Sequence, residues 1–277
     1  MLLDNTNYHS QEANRHYYMS ASQLKRFLDC EALALAEIRG ESIREESTAL
    51  LVGGYVDAYF SRMLADYVTE HPQVYTNKGT LRAEFQQAQD IINLLEHDPL
   101  LMHMMDGETQ KIVTGDIYGV PFRGKLDCLL SAEQCRAIAE DYPEMVDDLL
   151  MADGAIVDLK IMRDMEPVWK PGAGRMSFVQ AWRYDLQLAI YQRLVGGRLP
   201  CYLVVATKEK PPDKALIHVP QYMLDAALET AADTIVRANH LKQHPEEAVR
   251  CGRCDWCRQT KVVTGAVDAD ELEGGGL

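Results

Sequence analysis

The sequence has few basic residues, few cysteines and no long apolar run. Lysine and arginine number 28 against 42 acidic residues, so the net charge is −14 and a broad phosphate-binding surface is not indicated. No apolar run reaches the roughly 20 residues that span a bilayer, and the start, MLLDNTNYHS, lacks the basic and apolar regions of a signal peptide. We therefore expect a cytoplasmic protein without a membrane partner.

The acidic residues are unevenly distributed. Residues 131–157 carry seven acids and one base, and residues 262–277 carry four acids and no base. The rest of the chain is only mildly acidic. A local basic groove is compatible with this distribution, although the charge itself does not indicate one.

The chain contains seven cysteines, and three of them lie in the heptapeptide CGRCDWC, as Cys251, Cys254 and Cys257. In a reducing cytoplasm cysteines remain thiols or metal ligands rather than disulfides. Structural zinc sites and iron–sulfur cubanes both require four ligands. The spacing therefore predicts a metal site whose fourth ligand comes from elsewhere in the chain.

Helical periodicity dominates both ends of the chain, and alternating patterns occupy the middle. Helices are predicted over 20–39, 48–68, 81–96, a long segment from Ser177 to Val195, and 221–242, and KIVTGDIYGVPFRGKLDCLL predicts a hairpin around Tyr118-Gly119. Further strands are predicted at 155–161, in CYLVVATKE and in KALIHV. These elements predict an α/β (α+β) fold with a central mixed sheet flanked by helices. We expect one domain over 1–277 with these parts: an N-terminal helical part (20–110), the sheet and its following helix (111–220) with a surface acidic insertion (131–154), a C-terminal helix with the cysteines (221–261) and a disordered tail (262–277).

Two acids and a lysine lie on neighbouring predicted strands. Asp127 ends one strand, and Asp158 and Lys160 lie two apart on another, so the latter two project to the same side. Converging carboxylates form a hard oxygen site suited to Mg²⁺ or Mn²⁺. A lysine beside such a metal can orient or deprotonate an attacking water. An isolated D-x-K on a strand is otherwise a solvated face.

The helix that follows carries a polar and aromatic stripe. Gln180, Tyr184, Gln187 and Tyr191 recur at intervals of four, three and four residues, which places them on one face of a continuous helix. Such a stripe alone is an ordinary helix face. After a hairpin with an acid and a strand with D-x-K, it is interpreted as part of the same site.

In the order of these motifs the chain resembles the PD-(D/E)XK nuclease superfamily with its restriction-endonuclease-like core. Within the RecB-like branch it is most similar to phage-type exonucleases related to RecE (exonuclease VIII). The resemblance implies that Asp127, Asp158 and Lys160 are catalytic, that Gln187 and Tyr191 form the Q-x-x-x-Y motif, and that Asp127 and Asp158 bind metal. Gly54-Tyr55-Val56-Asp57 stands where the family has G-x-x-H, so Asp57 replaces a histidine ligand and puts the metal preference in question.

The same resemblance implies further ligands. Ser20-Ala-Ser22-Gln-Leu24-Lys-Arg-Phe27-Leu-Asp-Cys30 matches the pattern that precedes the first cysteine of iron–sulfur nucleases in this branch, so Cys30 is the implied fourth ligand. Four thiolates indicate a [4Fe–4S] cluster, which the resemblance favours, or a Cys₄ zinc site. Glu108 resembles a further acidic position of RecE-like enzymes, although an exposed loop glutamate is the alternative. Gln180 and Tyr184 share the helix face of Gln187, and all three residues are candidate substrate-binding positions.

The resulting hypothesis is a Mg²⁺- or Mn²⁺-dependent exodeoxyribonuclease acting on linear duplex ends in phage-type recombination and repair. The resemblance implies a single-strand annealing partner and a ring-shaped homo-oligomer. A catalytically inactive DNA-binding or assembly module with the nuclease fold is one alternative, which the acidic charge and Asp57 favour. An iron–sulfur redox-sensing regulator of DNA processing is the other.

Overall fold

The computed structural model describes residues 2–4, 7, 8, 10, 12–43 and 47–266. The chain forms two compact units. Residues 1–44, 118–121 and 232–277 form one, the terminal unit, and residues 45–117 and 122–231 form the other, the sheet unit. The expectation of one nuclease domain over 1–277 stays a prediction.

Helices fall on both sides of the sheet in sequence, as predicted. Single helical turns of other types occur at Ala13–Tyr17, Pro72–Val74, Pro143–Met145 and Pro245–Glu247. In chain order the α-helices are α1 (Ala21–Asp29), α2 (Glu31–Arg39), α3 (Thr48–Phe60), α4 (Leu64–Glu70), α5 (Ala83–Glu96), α6 (Pro99–Met104), α7 (Ala132–Asp141), α8 (Val146–Leu149), α9 (Phe178–Ala181), α10 (Tyr184–Val195), α11 (Gln221–Thr230), α12 (Ala232–Gln243) and α13 (Asp255–Gln259).

The sheet is mixed, which confirms the predicted fold class. Its strands run in the order β3-β4-β7-β8, and β2 pairs with β3. The β3–β4 and β7–β8 pairs are antiparallel, whereas β4 and β7 are parallel. The strands are β1 (Met19–Ser20), β2 (Glu108–Ile117), β3 (Val120–Ser131), β4 (Gly154–Met162), β5 (Val168–Lys170), β6 (Gly174–Met176), β7 (Cys201–Thr207) and β8 (Lys214–Val219).

The predicted turn between β2 and β3 is present. Tyr118 and Gly119 occupy its two central positions with φ of 54° and 76°. Positive φ at both positions is the requirement of a type I′ turn, whose twist matches that of the flanking strands. The sequence therefore located this hairpin to the residue.

The core of the sheet unit lies between the sheet and helices α3 and α5. Val157 and Cys128 of the sheet, together with Tyr55 and Ile92 of the two helices, belong to one cluster of buried side chains. Because side chains alternate along a strand, Asp158 and Lys160 point to the opposite face of β4. Helix α10 packs against β4 and β2, so helices cover both faces of the sheet.

The predicted continuous helix over 20–39 is wrong at Cys30. Ser20 caps α1 as expected, accepting the Gln23 N–H at 3.3 Å, but Cys30 has φ −166° and ψ 115° and separates α1 from α2. An extended residue cannot be part of an α-helix. The helical pattern continues on both sides, so periodicity could not reveal the break.

The predicted continuous helix from Ser177 to Val195 is also wrong. It is interrupted at Trp182 and Arg183, and Arg183 adopts the left-handed conformation with φ 55° and ψ 42°. A residue in the left-handed conformation cannot continue a right-handed α-helix. Gln180 therefore lies on α9, whereas Tyr184, Gln187 and Tyr191 lie on α10.

Three smaller differences concern segment ends and the acidic insertion. The predicted helix 48–68 is divided between Phe60 and Leu64, and the helix 221–242 is divided at Ala231. The insertion 131–154 is partly helical, as expected, but it is more than a surface excursion because Cys135 and Leu149 are fully buried in the core. Its acidic residues are all exposed.

The predicted tail falls largely outside the described residues, which end at 266; residues 262–266 are exposed and have no regular structure. Within the described residues, every helix is too short or too polar to cross a bilayer.

Candidate active site

The candidate site lies where strands β3 and β4 separate. Their backbone pairing extends from Ser131↔Gly154 to Cys128↔Val157 and stops there. At the next position the Asp127 side chain takes over, since its Oδ2 accepts the Leu159 N–H at 2.9 Å. β4 continues to pair with β7 as far as Met162↔Thr207. The strands thus diverge at Asp127 and Asp158, and this opening exposes one edge of β4 to the site.

Asp158 and Lys160 form a buried ion pair at this opening. The Asp158 side chain is 1% exposed and the Lys160 side chain 18% exposed. Lys160 Nζ contacts Asp158 Oδ2 and lies 3.9 Å from Asp127 Oδ2. The predicted triad of two acids and one lysine is therefore brought together.

Helix α10 holds Asp158 from the other side. The Gln187 amide donates a hydrogen bond to Asp158 Oδ1 at 2.9 Å, and the same nitrogen lies 3.2 Å from the Tyr191 hydroxyl. The Tyr184 ring lies beneath Lys160, with Nζ 5.5 Å from the ring centroid. These three α10 residues line the site, and Tyr184 adds a cation–π contact to the lysine.

Close contact between α10 and β3 depends on a glycine. A Cβ at Gly124 would lie 2.9 Å from Tyr191 Cδ1 and 3.0 Å from Cε1. Such distances are shorter than van der Waals contact, so only glycine allows the Tyr191 ring to lie against β3.

Asp57 reaches the site from helix α3. Its carboxylate lies in the cavity that Asp127 and Leu159 also line, and Gln110 donates to its two oxygens at 3.4 and 3.5 Å. The residue that replaces the family's histidine is therefore placed with the other acids.

The carboxylates shift one another's proton affinities. Burial first, and then the Asp158 charge, raise the pKa of Asp127 well above its usual range. Burial likewise raises the pKa of Asp57. For Lys160, burial acts to lower the pKa, but the Asp158 and Asp127 carboxylates outweigh it and raise the pKa. Negative charge therefore exceeds positive charge locally.

This excess of buried negative charge fits a divalent cation. Asp57, Asp127 and Asp158 offer only carboxylate oxygens, the ligands that Mg²⁺ and Mn²⁺ prefer. A bound cation would offset both effects, the burial and the repulsion from neighbouring carboxylates, that raise the pKa of Asp57 and Asp127. The donor set therefore matches the predicted metal.

Two assigned substrate-binding positions lie elsewhere. Glu108 begins β2 and pairs with Lys111 at 2.6 Å, where its side chain is 60% exposed. Gln180 is exposed on α9, and its Oε1 accepts from the Ser177 hydroxyl at 3.4 Å. Neither makes a described contact with the three acids, so their roles stay predictions.

Two residues near the acids were not identified from the sequence. Gln110 binds Asp57 from a strand position with φ 53°, which its sequence neighbours do not signal. Lys125 faces the same side of β3 as Asp127, and its charge partly opposes the burial that raises the pKa of Asp57. The K-x-D spacing in GKLD could have indicated Lys125.

The four cysteines predicted as ligands converge in the terminal unit. Sγ atoms of Cys30, Cys251, Cys254 and Cys257 all lie within 4.8 Å of one another, with 3.6 Å from Cys30 to Cys257 and 3.9 Å from Cys251 to Cys257. Within the terminal unit the site joins Cys30, between α1 and α2, to the three C-terminal cysteines.

Backbone amides support the thiolate form. The Cys254 N–H donates to Cys251 Sγ at 3.3 Å, and the Cys257 N–H donates to Cys254 Sγ at 3.4 Å. Although burial acts to raise it, hydrogen bonds lower the pKa of Cys251 to about 6. The other cysteines, Cys128, Cys135 and Cys201, are buried, and burial raises their pKa to about 12, 11 and 12. Burial also raises the pKa of Cys30, and that of Cys254 to about 12, so it is the convergence of the four Sγ atoms that marks them as candidate metal ligands.

Comparison with known proteins decides the family. The model of the family described as "PDDEXK-like domain of unknown function (DUF3799)" matches residues 20–137 and 143–260. The chain belongs to this PD-(D/E)XK-like family. The sequence resemblance to this family was based on the order of Asp127, Asp158 with Lys160, and Gln187 with Tyr191 along the chain.

A solved structure extends this likeness over the full chain. The PD-(D/E)XK-like protein is similar to a "Putative exonuclease" from Eubacterium rectale, with 35% identity, a TM-score of 0.85 and 99% of each chain covered. Among curated proteins no match was found. The family and this neighbour together support a nuclease.

Proposed function

We propose that this protein is a metal-dependent deoxyribonuclease that degrades linear DNA from its ends, of the RecE-like type. The observation that carries the proposal is the convergence of Asp57, Asp127, Asp158 and Lys160 where β3 and β4 separate. Carboxylates with one lysine at an open strand edge suit phosphodiester hydrolysis. The PD-(D/E)XK-like family and the neighbour described as an exonuclease support the same reaction.

The acids, the lysine and the glutamine have different roles in the proposed reaction. Asp57, Asp127 and Asp158 would hold Mg²⁺ or Mn²⁺, which supplies Lewis-acid polarisation of the scissile phosphate. Lys160 places a positive charge beside this position, where it orients water and offsets charge that develops on the phosphate. Gln187 fixes the orientation of Asp158 through its hydrogen bond of 2.9 Å, so it acts as a positioning residue.

The test is a nuclease assay on linear duplex labelled at the 5′ or the 3′ end, with circular and single-stranded DNA as comparisons. We expect cleavage of linear DNA with Mg²⁺ or Mn²⁺, and its loss in Lys160→Ala. Lys111→Ala is the matched control, because Lys111 forms an exposed ion pair with Glu108 away from the acids. Undiminished activity of Lys160→Ala contradicts the proposal, and an intact protein that cuts no DNA favours the inactive DNA-binding module.

We further propose that the four-cysteine site holds one zinc ion rather than an iron–sulfur cubane. Thiolates bound at 2.3 Å to one tetrahedral Zn²⁺ lie about 3.8 Å from each other, and the Cys30–Cys257 and Cys251–Cys257 separations are 3.6 and 3.9 Å. In a cubane each thiolate binds a different iron, which spreads the sulfur atoms farther apart. The resemblance had favoured iron.

Metal analysis of protein purified without oxygen separates the two assignments. We expect about one zinc per chain and no visible absorbance band, with the zinc lost in Cys254→Ser and kept in Cys128→Ser. Four irons per chain with such a band would instead support the cubane. Oligomeric state and an annealing partner follow only from the resemblance, and light scattering of the intact protein measures the former.

A further inference from the structure

The segment between the Lys160 strand and the Gln187 helix forms a small two-stranded ribbon, β5–β6. Its register pairs Val168 with Met176, Trp169 with Arg175, and Lys170 with Gly174. Opposite residues of an antiparallel pair project to the same face. Trp169 and Arg175 therefore share one face of the ribbon, and their neighbours in the strands occupy the other.

The two faces differ in burial. Trp169 is 73% exposed and the Arg175 side chain is 69% exposed, whereas Val168, Lys170 and Met176 are partly covered. The covered face is anchored, because β5 packs on α9 and Lys170 Nζ lies 4.4 Å from the Trp182 ring centroid. The outer face presents a large aromatic ring beside a cation.

This segment differs from the rest of the chain in charge and aromatic content. Residues 162–183 contain four bases and two acids, a net charge of +2 in a protein of −14. They also contain two of the three tryptophans, Trp169 and Trp182, and both are exposed. Both acids are paired locally: Asp164 with Arg163 at 2.5 Å, and Glu166 with Arg175 at 3.8 Å.

An exposed tryptophan beside a cation matches the chemistry of single-stranded DNA. Bases stack on aromatic rings whatever their sequence, and a neighbouring arginine neutralises a phosphate. The Glu166–Arg175 ion pair is long, at 3.8 Å, and both side chains are exposed. A phosphate can therefore replace Glu166 as the partner of Arg175. Position also favours DNA over a protein partner, since the ribbon lies in the segment of chain between the strand that carries Lys160 and the helix that carries Gln187.

We propose that the β5–β6 ribbon binds single-stranded DNA, with a base stacked on Trp169 and a phosphate on Arg175. This inference rests on the proposed function, because it assigns the ribbon to a single strand of the DNA on which the nuclease acts. It also places a local basic surface in a chain whose overall charge does not predict one.

Trp169 and Arg175 should affect different quantities in a binding assay, the affinity and its salt dependence. Fluorescence anisotropy of a labelled single-stranded oligonucleotide is measured in an Asp127→Asn background, where hydrolysis is expected to be lost. We expect Trp169→Ala to weaken binding about 5- to 100-fold with an unchanged salt dependence. Arg175→Ala should instead reduce the slope of log affinity against log salt by about 0.7, the value for one phosphate on a single strand.

The matched control is Tyr222→Ala, since Tyr222 is an equally exposed aromatic at 72% on α11. It should bind like the parent, and Trp169→Phe should retain part of the affinity. Circular dichroism and melting temperature check that each variant is folded. Binding by Trp169→Ala within twofold of Tyr222→Ala overturns the inference, as does a Trp169 effect on self-association in place of DNA binding.

The outcome is distinguishable from failure of the proposed function. Protein that cuts DNA but binds it independently of Trp169 removes the ribbon assignment and leaves the nuclease. Protein that cuts no DNA but binds it through Trp169 leaves the ribbon and removes the nuclease.

Discussion

Replacement of Lys160 by methionine tests the buried ion pair at the centre of the site. Lys160 Nζ lies 3.9 Å from Asp127 Oδ2 and in contact with Asp158, whose side chain is 1% exposed. At an effective dielectric constant of about 20, a pair 4 Å apart attracts by about 4 kcal/mol. Removing one member of a buried pair costs about 3–5 kcal/mol, because the other charge is left without a partner. We expect Lys160→Met to lower the unfolding free energy by this amount in metal-free protein.

The loss should depend on the Asp158 charge and on pH. Lys160→Met/Asp158→Asn replaces the pair with neutral groups of similar size, so the double variant should be more stable than Lys160→Met, with a coupling above about 1 kcal/mol. Because the pKa of Lys160 is raised, this lysine stays protonated in folded and unfolded protein below its ordinary pKa and adds no slope there. In Lys160→Met the pKa of Asp127, which burial and the Asp158 charge already raise, loses the opposing effect of the Lys160 charge and rises further, so the deficit shrinks as pH falls.

Urea unfolding at several pH values measures each variant. Lys111→Met is the control, since the Lys111–Glu108 pair is short but its side chains are 35% and 60% exposed, and its loss should cost less than about 1 kcal/mol. The reasoning fails if Lys160→Met loses no more unfolding free energy than Lys111→Met. It also fails if the loss in the double variant equals the sum of the losses in Lys160→Met and Asp158→Asn.

Two further predictions concern the same site. Burial and the Asp158 charge raise the pKa of Asp127. The stability that comes from protonation of Asp127 is therefore present at low pH and lost as pH rises through the folded pKa. Metal-free Asp127→Asn should be more stable than the parent protein at pH 8, by about 0.5–2 kcal/mol, but not near pH 4. Thermal melts at the two pH values decide this, and a lower melting temperature of Asp127→Asn at pH 8 contradicts it. Gly124→Ala places a Cβ 2.9 Å from the Tyr191 ring, so it should lower the unfolding free energy by about 1–3 kcal/mol and reduce nuclease activity. Gly53→Ala is the control, because its Cβ would have open space around it, and it should have neither effect. Equal stability of the two variants would refute the close contact.

The sequence was most informative where a pattern is local. The hairpin turn at Tyr118-Gly119 and the strand carrying Asp158 and Lys160 follow from side-chain alternation and turn chemistry, which depend on adjacent residues. The same alternation predicted that Asp158 and Lys160 share a face. Motif order along the chain was enough to indicate the PD-(D/E)XK-like family.

Breaks in helices were not predictable from the same patterns. Cys30 is extended where the helical pattern is continuous, and Arg183 is left-handed between two helical segments. Periodicity records which face of a helix is apolar, and it does not record the backbone dihedrals of a single residue. In each case the break affects which residues meet, because Cys30 lies with the C-terminal cysteines and Gln180 is separated from Gln187.

By itself, the sequence determined which side chains could do chemistry, since residue type and strand period fix the acids, the lysine and the thiols. Only the tertiary structure decided which of them meet: the end of β3–β4 pairing at Cys128↔Val157 opens the space into which Asp57 and Gln110 extend. Distances between residues far apart in sequence depend on how helices and strands pack. The separations of the four cysteine Sγ atoms, on which the choice between a single ion and a cluster depends, follow from the same packing. Exposure of Trp169 beside Arg175 is likewise a product of strand register, which no single segment specifies.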